Sequence, residues 1–218
     1  MIPMDIAMIV FEIIVLLFSA VLHEVAHGYV AERLGDDTAR RAGRLTLNPI
    51  VHLDPFGSIL MPLLLLWASG GSFFFAAAKP VPYDPRNLKN PRSGSAKIAL
   101  AGPVTNFALA FIFGIIIRII ETVAPTSAGA ANFVVFLAII VYINIILGLF
   151  NLIPIPPLDG SRILFAILPQ TETMARAMYS LQRWGLFLVL IFVFFGFQLL
   201  IPFIQLIFAL FTGQSLGM

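Results

Sequence analysis

The chain has 218 residues, of which 60% are hydrophobic and 11% charged. An ordinary soluble domain is about a quarter charged, so the composition excludes one and points to an integral membrane protein built as a single domain, 1–218. A net charge of +2 gives no reason to expect a nucleic-acid partner, and the absence of cysteine excludes disulfides, thiol nucleophiles and thiolate metal ligands.

The first apolar run, over about 6–34, is long enough to cross a bilayer, which takes roughly 20 apolar residues. No basic region precedes it and it is longer than a signal-peptide core, so it reads as a retained span. Its second half contains "HEVAH". On a helix His23 and His27 share a face, so both imidazoles can reach one metal ion. Glu24 stands beside them and can hold a water on that ion. Ionisable groups inside a span are costly and are functional candidates by default. The blander alternative is hydrogen bonding between helices. At 1.5 Å per residue the pair lies about 25–32 Å along the span, toward its far end.

Residues 35–83 are the least helical part. "GRLTLNP" and "GSFFFAAAKPVPY" read as short extended pieces bounded by Gly and Pro. "FGSILMPLLLLWASGG" is apolar but short and contains Pro62, which fits a re-entrant element better than a span. The expectation over about 36–83 is that element plus a small membrane-associated β-sheet. His52, in "NPIVHLDPFG", is a candidate further metal ligand, a substrate-side group or a loop-fixing hydrogen bonder. The last is favoured because the Asn, Asp and Pro around it build turns by themselves.

Three more spans follow, over about 96–120, 133–152 and 184–211. Asn106 and Asn144 fall within spans and are expected to hydrogen-bond between helices. Asn151 closes the third span near the proposed site and can donate to a developing oxyanion. A catalytic zinc takes three protein ligands and a water, and "FNLIPIPPLDGSRIL" supplies the best third. Its prolines should break the helix and leave Asp159 on unwound backbone at the depth of the histidines. The competing reading is that Asp159 only caps a helix beginning at Gly160 or Ser161. That helix should end at Pro169, and 171–182 reads as interfacial.

Charge sets the threading. If the short run re-enters, the N-terminus, "ETVAPTSAGAAN" and "TGQSLGM" share one side and carry no Lys or Arg. Every basic residue except Arg118 then falls toward the other side, which the positive-inside rule makes cytoplasmic. The termini are expected outside and the site toward the cytoplasm.

Together "HEVAHGYVAERLGD", "GRLTLNPIVHLDPFG", "AKPVPYDPRNLKNP", "ALAGPVTNF" and "FNLIPIPPLDGSR" resemble the site-2 proteases, zinc intramembrane metalloproteases, and within them the compact prokaryotic group without a PDZ domain. The resemblance implies one zinc per chain on His23, His27 and Asp159, with Glu24 as catalytic base and Asn151 at the oxyanion. It implies cleavage of peptide bonds in or beside transmembrane segments, in a cell membrane, with membrane-protein substrates. Two positions depart from the family pattern: Ser161 replaces a glycine after "LDG", and Ala26 replaces the glycine before the second histidine. A catalytically inactive zinc-binding module that holds transmembrane segments is the alternative function. A zinc transporter is less well supported, because no inverted repeat or second His/Asp cluster is evident. Oligomeric state stays open.

Overall fold

Four helices long and apolar enough to cross a membrane carry the architecture of the computed structural model, which describes residues 6–54, 60, 64, 67, 79–124 and 127–215. In chain order they are α1 (Ile6–Arg33), followed by the single turn α2 (Thr38–Arg41); α3 (Pro91–Val123); and α4 (Ala128–Asn151). A short α5 (Asp159–Ile167) then leads to α6 (Glu172–Ile191), which runs on through irregular helical turns into α7 (Ile201–Thr212). The chain is therefore a multi-pass membrane protein.

Local chemistry explains the helix ends. Asn90 accepts from the Ser93 N–H at 3.1 Å ahead of Pro91 at the first position of α3. Ser127 and Thr171 likewise accept the Ala130 and Met174 N–H groups, so each side chain satisfies a donor that the helix cannot. Helix α7 stops at Gly213, whose φ of 80° is left-handed. There Arg118 donates to the carbonyls of Leu210 and Phe211. The one basic residue outside the expected charge pattern thus covers the open end of a helix.

The last apolar element runs unbroken from Glu172 to Thr212, 41 residues. That is about 60 Å of helix, twice the hydrocarbon thickness of about 30 Å. The stretch 171–182, expected as a separate interfacial piece, is instead the polar leading third of this helix.

Helix α3 is central and packs on α1, α4, α5 and α7. Ala110 and Ile117 of α3, Val141 and Ile145 of α4, and Ile204 and Phe208 of α7 form the main apolar core. The outward faces carry Val10, Ile13, Phe18, Phe111, Ile112, Ile119, Phe203, Leu206 and Leu210, all exposed. A continuous apolar surface of this kind suits lipid.

Among the described residues there is no β-strand, so the expected sheet is not found there. The stretch 44–48 folds back on the turn Pro49–His52: Arg44 reaches the Val51 carbonyl, and His52 Nε2 donates to the Thr46 carbonyl at 2.9 Å. Those carbonyls are engaged within the loop and do not form a ladder. The re-entrant run, apart from Leu60, Leu64 and Trp67, and residues 71–78 of the second extended piece lie outside the described residues.

Asp36 fastens the end of α1 to the approach to α3. It is fully buried and accepts from the Thr38 hydroxyl at 2.5 Å, the Asn87 amide at 2.7 Å and the Asp84 N–H at 2.9 Å.

Candidate metal centre

Helical periodicity puts His23 and His27 on the buried face of α1, and their rings meet edge to face with centroids 4.6 Å apart. The tight turn after α4 brings Asp159 against them. A side chain at Gly160 could not be accommodated there, since its Cβ would stand 2.1 Å from the Leu152 carbonyl oxygen. His23 Nε2 and His27 Nε2 lie 3.0 and 3.1 Å from the same atom, Asp159 Oδ2. All three side chains are buried. Asp159 does not lie on unwound backbone as expected: Leu158 is the cap residue, Asp159 is the first residue of α5, and its carboxylate faces the histidines.

The other ring nitrogens fix the tautomers. His27 Nδ1 lies 2.6 Å from the Ile98 carbonyl oxygen. A carbonyl only accepts, so Nδ1 carries the proton, and in the neutral imidazole Nε2 presents a lone pair. Pro103, inside α3, has no N–H to give the carbonyl four residues back and loosens the helix beside Ile98. His23 Nδ1 lies 2.6 Å from Asn106 Oδ1 and donates to it in the same way. With both imidazoles neutral, two lone pairs and a carboxylate oxygen converge with no donor between them, an arrangement that is repulsive until a cation lies among them. The donor set suits zinc: two ligand atoms at 2.0–2.1 Å in a tetrahedron stand about 3.3 Å apart. His23, His27 and Asp159 form a group that can hold a single metal ion.

The floor of the site is Gly102. A Cβ there would stand 2.5 Å from His23 Nε2 and 2.6 Å from His27 Nε2, so only glycine lets α3 approach. Glu24 borders the same cavity as the three ligands, and its Oε2 accepts the Val81 N–H at 2.8 Å. Pro80, Val81 and Tyr83, with Asn151 and Arg162, line a cavity of about 80 Å³ around the three ligands and Glu24. That is room for two or three waters at about 30 Å³ each. Arg162 lies over the Tyr83 ring at 5.5 Å and reaches 3.8 Å from Asp159 Oδ1, the oxygen not facing the histidines.

Of the sequence candidates, His23, His27, Asp159, Glu24 and Asn151 are brought together. The Asn151 amide donates back to the Leu147 carbonyl at 3.0 Å while lining the cavity. His52 lies outside the metal group. It is buried in its own loop, its backbone carbonyl accepts the Lys79 N–H at 2.8 Å, and its Nδ1 has no partner among the described residues. Gly102, Val81 and the contact from Asn106 were not anticipated. The string "AGPVTNF" carried the available signal, a Gly-Pro pair and an amide within an apolar helix.

The chain matches the model of peptidase family M50 over residues 11–123 and 114–192. It is 44% identical to YwhC of Bacillus subtilis, provisionally named a zinc metalloprotease, over 72% of this chain and 68% of that one. It is 33% identical to Rip2 of Mycolicibacterium smegmatis, also provisionally so named, over 80% of this chain and 63% of the relative. Zinc metalloprotease MJ0392 of Methanocaldococcus jannaschii is 30% identical over 84% of this chain, which covers 42% of that relative. No solved structure matches the chain. With two histidines and an aspartate meeting at one oxygen inside a membrane helix bundle, and with matches extending over most of its length, the chain belongs to peptidase family M50.

Proposed function

We propose that this protein is a zinc-dependent endopeptidase that hydrolyses peptide bonds in or next to transmembrane segments of other membrane proteins. His23, His27 and Asp159 hold one zinc ion, and Glu24 is the base. The observation that carries this reading is the convergence of two imidazole lone pairs and one carboxylate oxygen next to Glu24, in a helix apolar enough to lie in a membrane. The zinc metalloprotease names of the relatives support it.

Zinc, when bound, supplies Lewis acidity: it lowers the pKa of a water toward about 7 and polarises the scissile carbonyl. The residues of the chain do the rest. Val81 holds Glu24 Oε2 by its N–H, leaving Oε1 to take the proton of the attacking water and then return it to the departing amide nitrogen. Asn151 turns its amide from Leu147 toward the carbonyl oxygen as that atom gains charge. Asp159 stays anionic, and Gly102 keeps both imidazoles seated.

The cavity admits water but no peptide, so the segment 79–83 must yield when substrate enters. A helical substrate hides its carbonyls in internal hydrogen bonds, so it must be bound extended. The distribution of Lys and Arg supports a site toward the cytoplasm and termini outside.

The test is cleavage of a purified transmembrane reporter in detergent or vesicles. We expect cleavage near the cytoplasmic end of the reporter, loss with a chelator and recovery with added zinc. Zinc bound at one per chain with no cleavage of any membrane reporter would favour the inactive binding module.

A further inference from the structure

We propose that Asn144, which does not touch the metal group, is a positioning residue for it and sets the tautomer of His23 through Asn106. The inference rests on reading His23, His27 and Asp159 as a metal site and adds a residue that reading does not use.

The chain of contacts begins at a backbone carbonyl. Asn144 Nδ2 lies 2.9 Å from the Ile140 carbonyl oxygen and 3.0 Å from Ser19 Oγ. The carbonyl can only accept, so the NH2 end of Asn144 must face it. Oδ1 of Asn144 is then turned to Asn106, whose Nδ2 donates to it at 2.9 Å and also stands 3.5 Å from the Ser19 carbonyl. That leaves Oδ1 of Asn106 toward His23 Nδ1, at 2.6 Å. An acceptor there requires the proton on Nδ1, and in the neutral ring Nε2 is then a lone pair aimed at Asp159. Each amide has one orientation that satisfies its neighbours, and the polarity set at Ile140 reaches the imidazole through two side chains.

The setting makes this orientation firm. Asn106 and Asn144 are both fully buried, and Ser19 is 4% exposed. Three spans contribute: α1 through Ser19 and His23, α3 through Asn106, and α4 through Asn144. With these groups buried, a flipped amide would leave donors facing donors. The two histidines are therefore held differently. His27 takes its tautomer from the Ile98 backbone, which no substitution removes. His23 depends on a relay of side chains, and Asn144 is its distal member.

Val and Thr have nearly the same shape, but only Thr has a hydroxyl that can donate to the carbonyl four residues back and accept from Asn106. Zinc affinity of the full chain in detergent is measured by competition with a chelator for the wild type, Asn144→Val and Asn144→Thr. We expect Asn144→Val to bind zinc 10–100-fold more weakly, as for outer-shell partners of metal-bound histidines, and Asn144→Thr to recover most of that loss. Equal affinity in the wild type and Asn144→Val, or equal losses in Val and Thr, would overturn the relay. A second readout needs no variant. With three histidines in the chain, 15N spectra of histidine-labelled wild type should show His23 protonated at Nδ1, and a proton on Nε2 alone would overturn it. Absence of zinc binding in the wild type would instead overturn the metal site, and the 15N spectrum would still decide the relay.

Discussion

The Val81 N–H donates to Oε2 of Glu24 at 2.8 Å across 57 residues of sequence. Pro80 and Pro82 flank Val81 and have no N–H, so within "PVP" this is the sole backbone donor, and it is directed at the proposed base. Val81→Pro removes it. We expect kcat to fall at least tenfold, with zinc content unchanged, because a charge-assisted hydrogen bond is worth about 1.5–3 kcal/mol. Val81→Ala keeps the N–H and should stay close to wild type. Steady-state kinetics on a membrane reporter with metal analysis would check this, and a Val81→Pro protein of unchanged kcat would remove the role given to the contact.

Gly102→Ala should abolish stoichiometric zinc binding. The added Cβ would stand 2.5–2.6 Å from the ligand nitrogens of His23 and His27, a clash that requires the rings or α3 to move. Metal analysis after dialysis against a weak chelator is the readout. Full zinc occupancy would mean that α3 can retreat without disturbing the site.

His52→Ala should leave zinc at one per chain. His52 lies outside the metal group and holds its own loop through the Thr46 carbonyl. We expect a stability loss of roughly 1–3 kcal/mol from the buried hydrogen bond and packing, seen as lower thermal stability. Loss of zinc from this variant would restore His52 as a ligand.

Asp36 gives a pH dependence. Burial alone would raise its carboxyl, but donations from Thr38, Asn87 and Asp84 outweigh it and hold the pKa below the usual value. A depressed folded-state pKa contributes stability that is complete above the unfolded value of about 3.9 and is lost as pH falls through the folded value. Asp36→Asn should therefore be less stable than wild type at neutral pH, and the gap should narrow below about pH 4. Thermal unfolding of both proteins from pH 3 to pH 7 would show it. A gap independent of pH would mean that the carboxylate charge is not the stabilising feature.

The lengths of the apolar runs and the helix-breaking prolines made three of the four spans legible to within a few residues. The fourth was clear in its apolar part only, because its polar leading third resembles an interfacial helix when read without its continuation. The metal group was legible because His23 and His27 are one helical turn apart and because few positions can bring a carboxylate to them. The contacts that hold the group were not. Asn106 and His23 are 83 residues apart, and nothing local says which amide in a span will face which ring. The importance of Gly102 depends on how closely α3 approaches α1, which is a property of packing. The sheet was inferred from Gly- and Pro-bounded extended pieces. At 44–48 the local hydrogen bonds of Arg44 and Thr46 prevail over that tendency.

The central claim is that Glu24 does chemistry at a zinc held by His23, His27 and Asp159. Glu24→Gln keeps the size and one oxygen of the side chain while removing its ability to take a proton. The decisive measurement is cleavage of a transmembrane reporter by zinc-loaded wild type and Glu24→Gln, with metal content determined on the same samples. We predict equal zinc in both and a rate at least a hundredfold lower in Glu24→Gln, in line with the 10²–10⁴-fold contribution of general acid–base catalysis. Equal rates at equal zinc content would contradict the account.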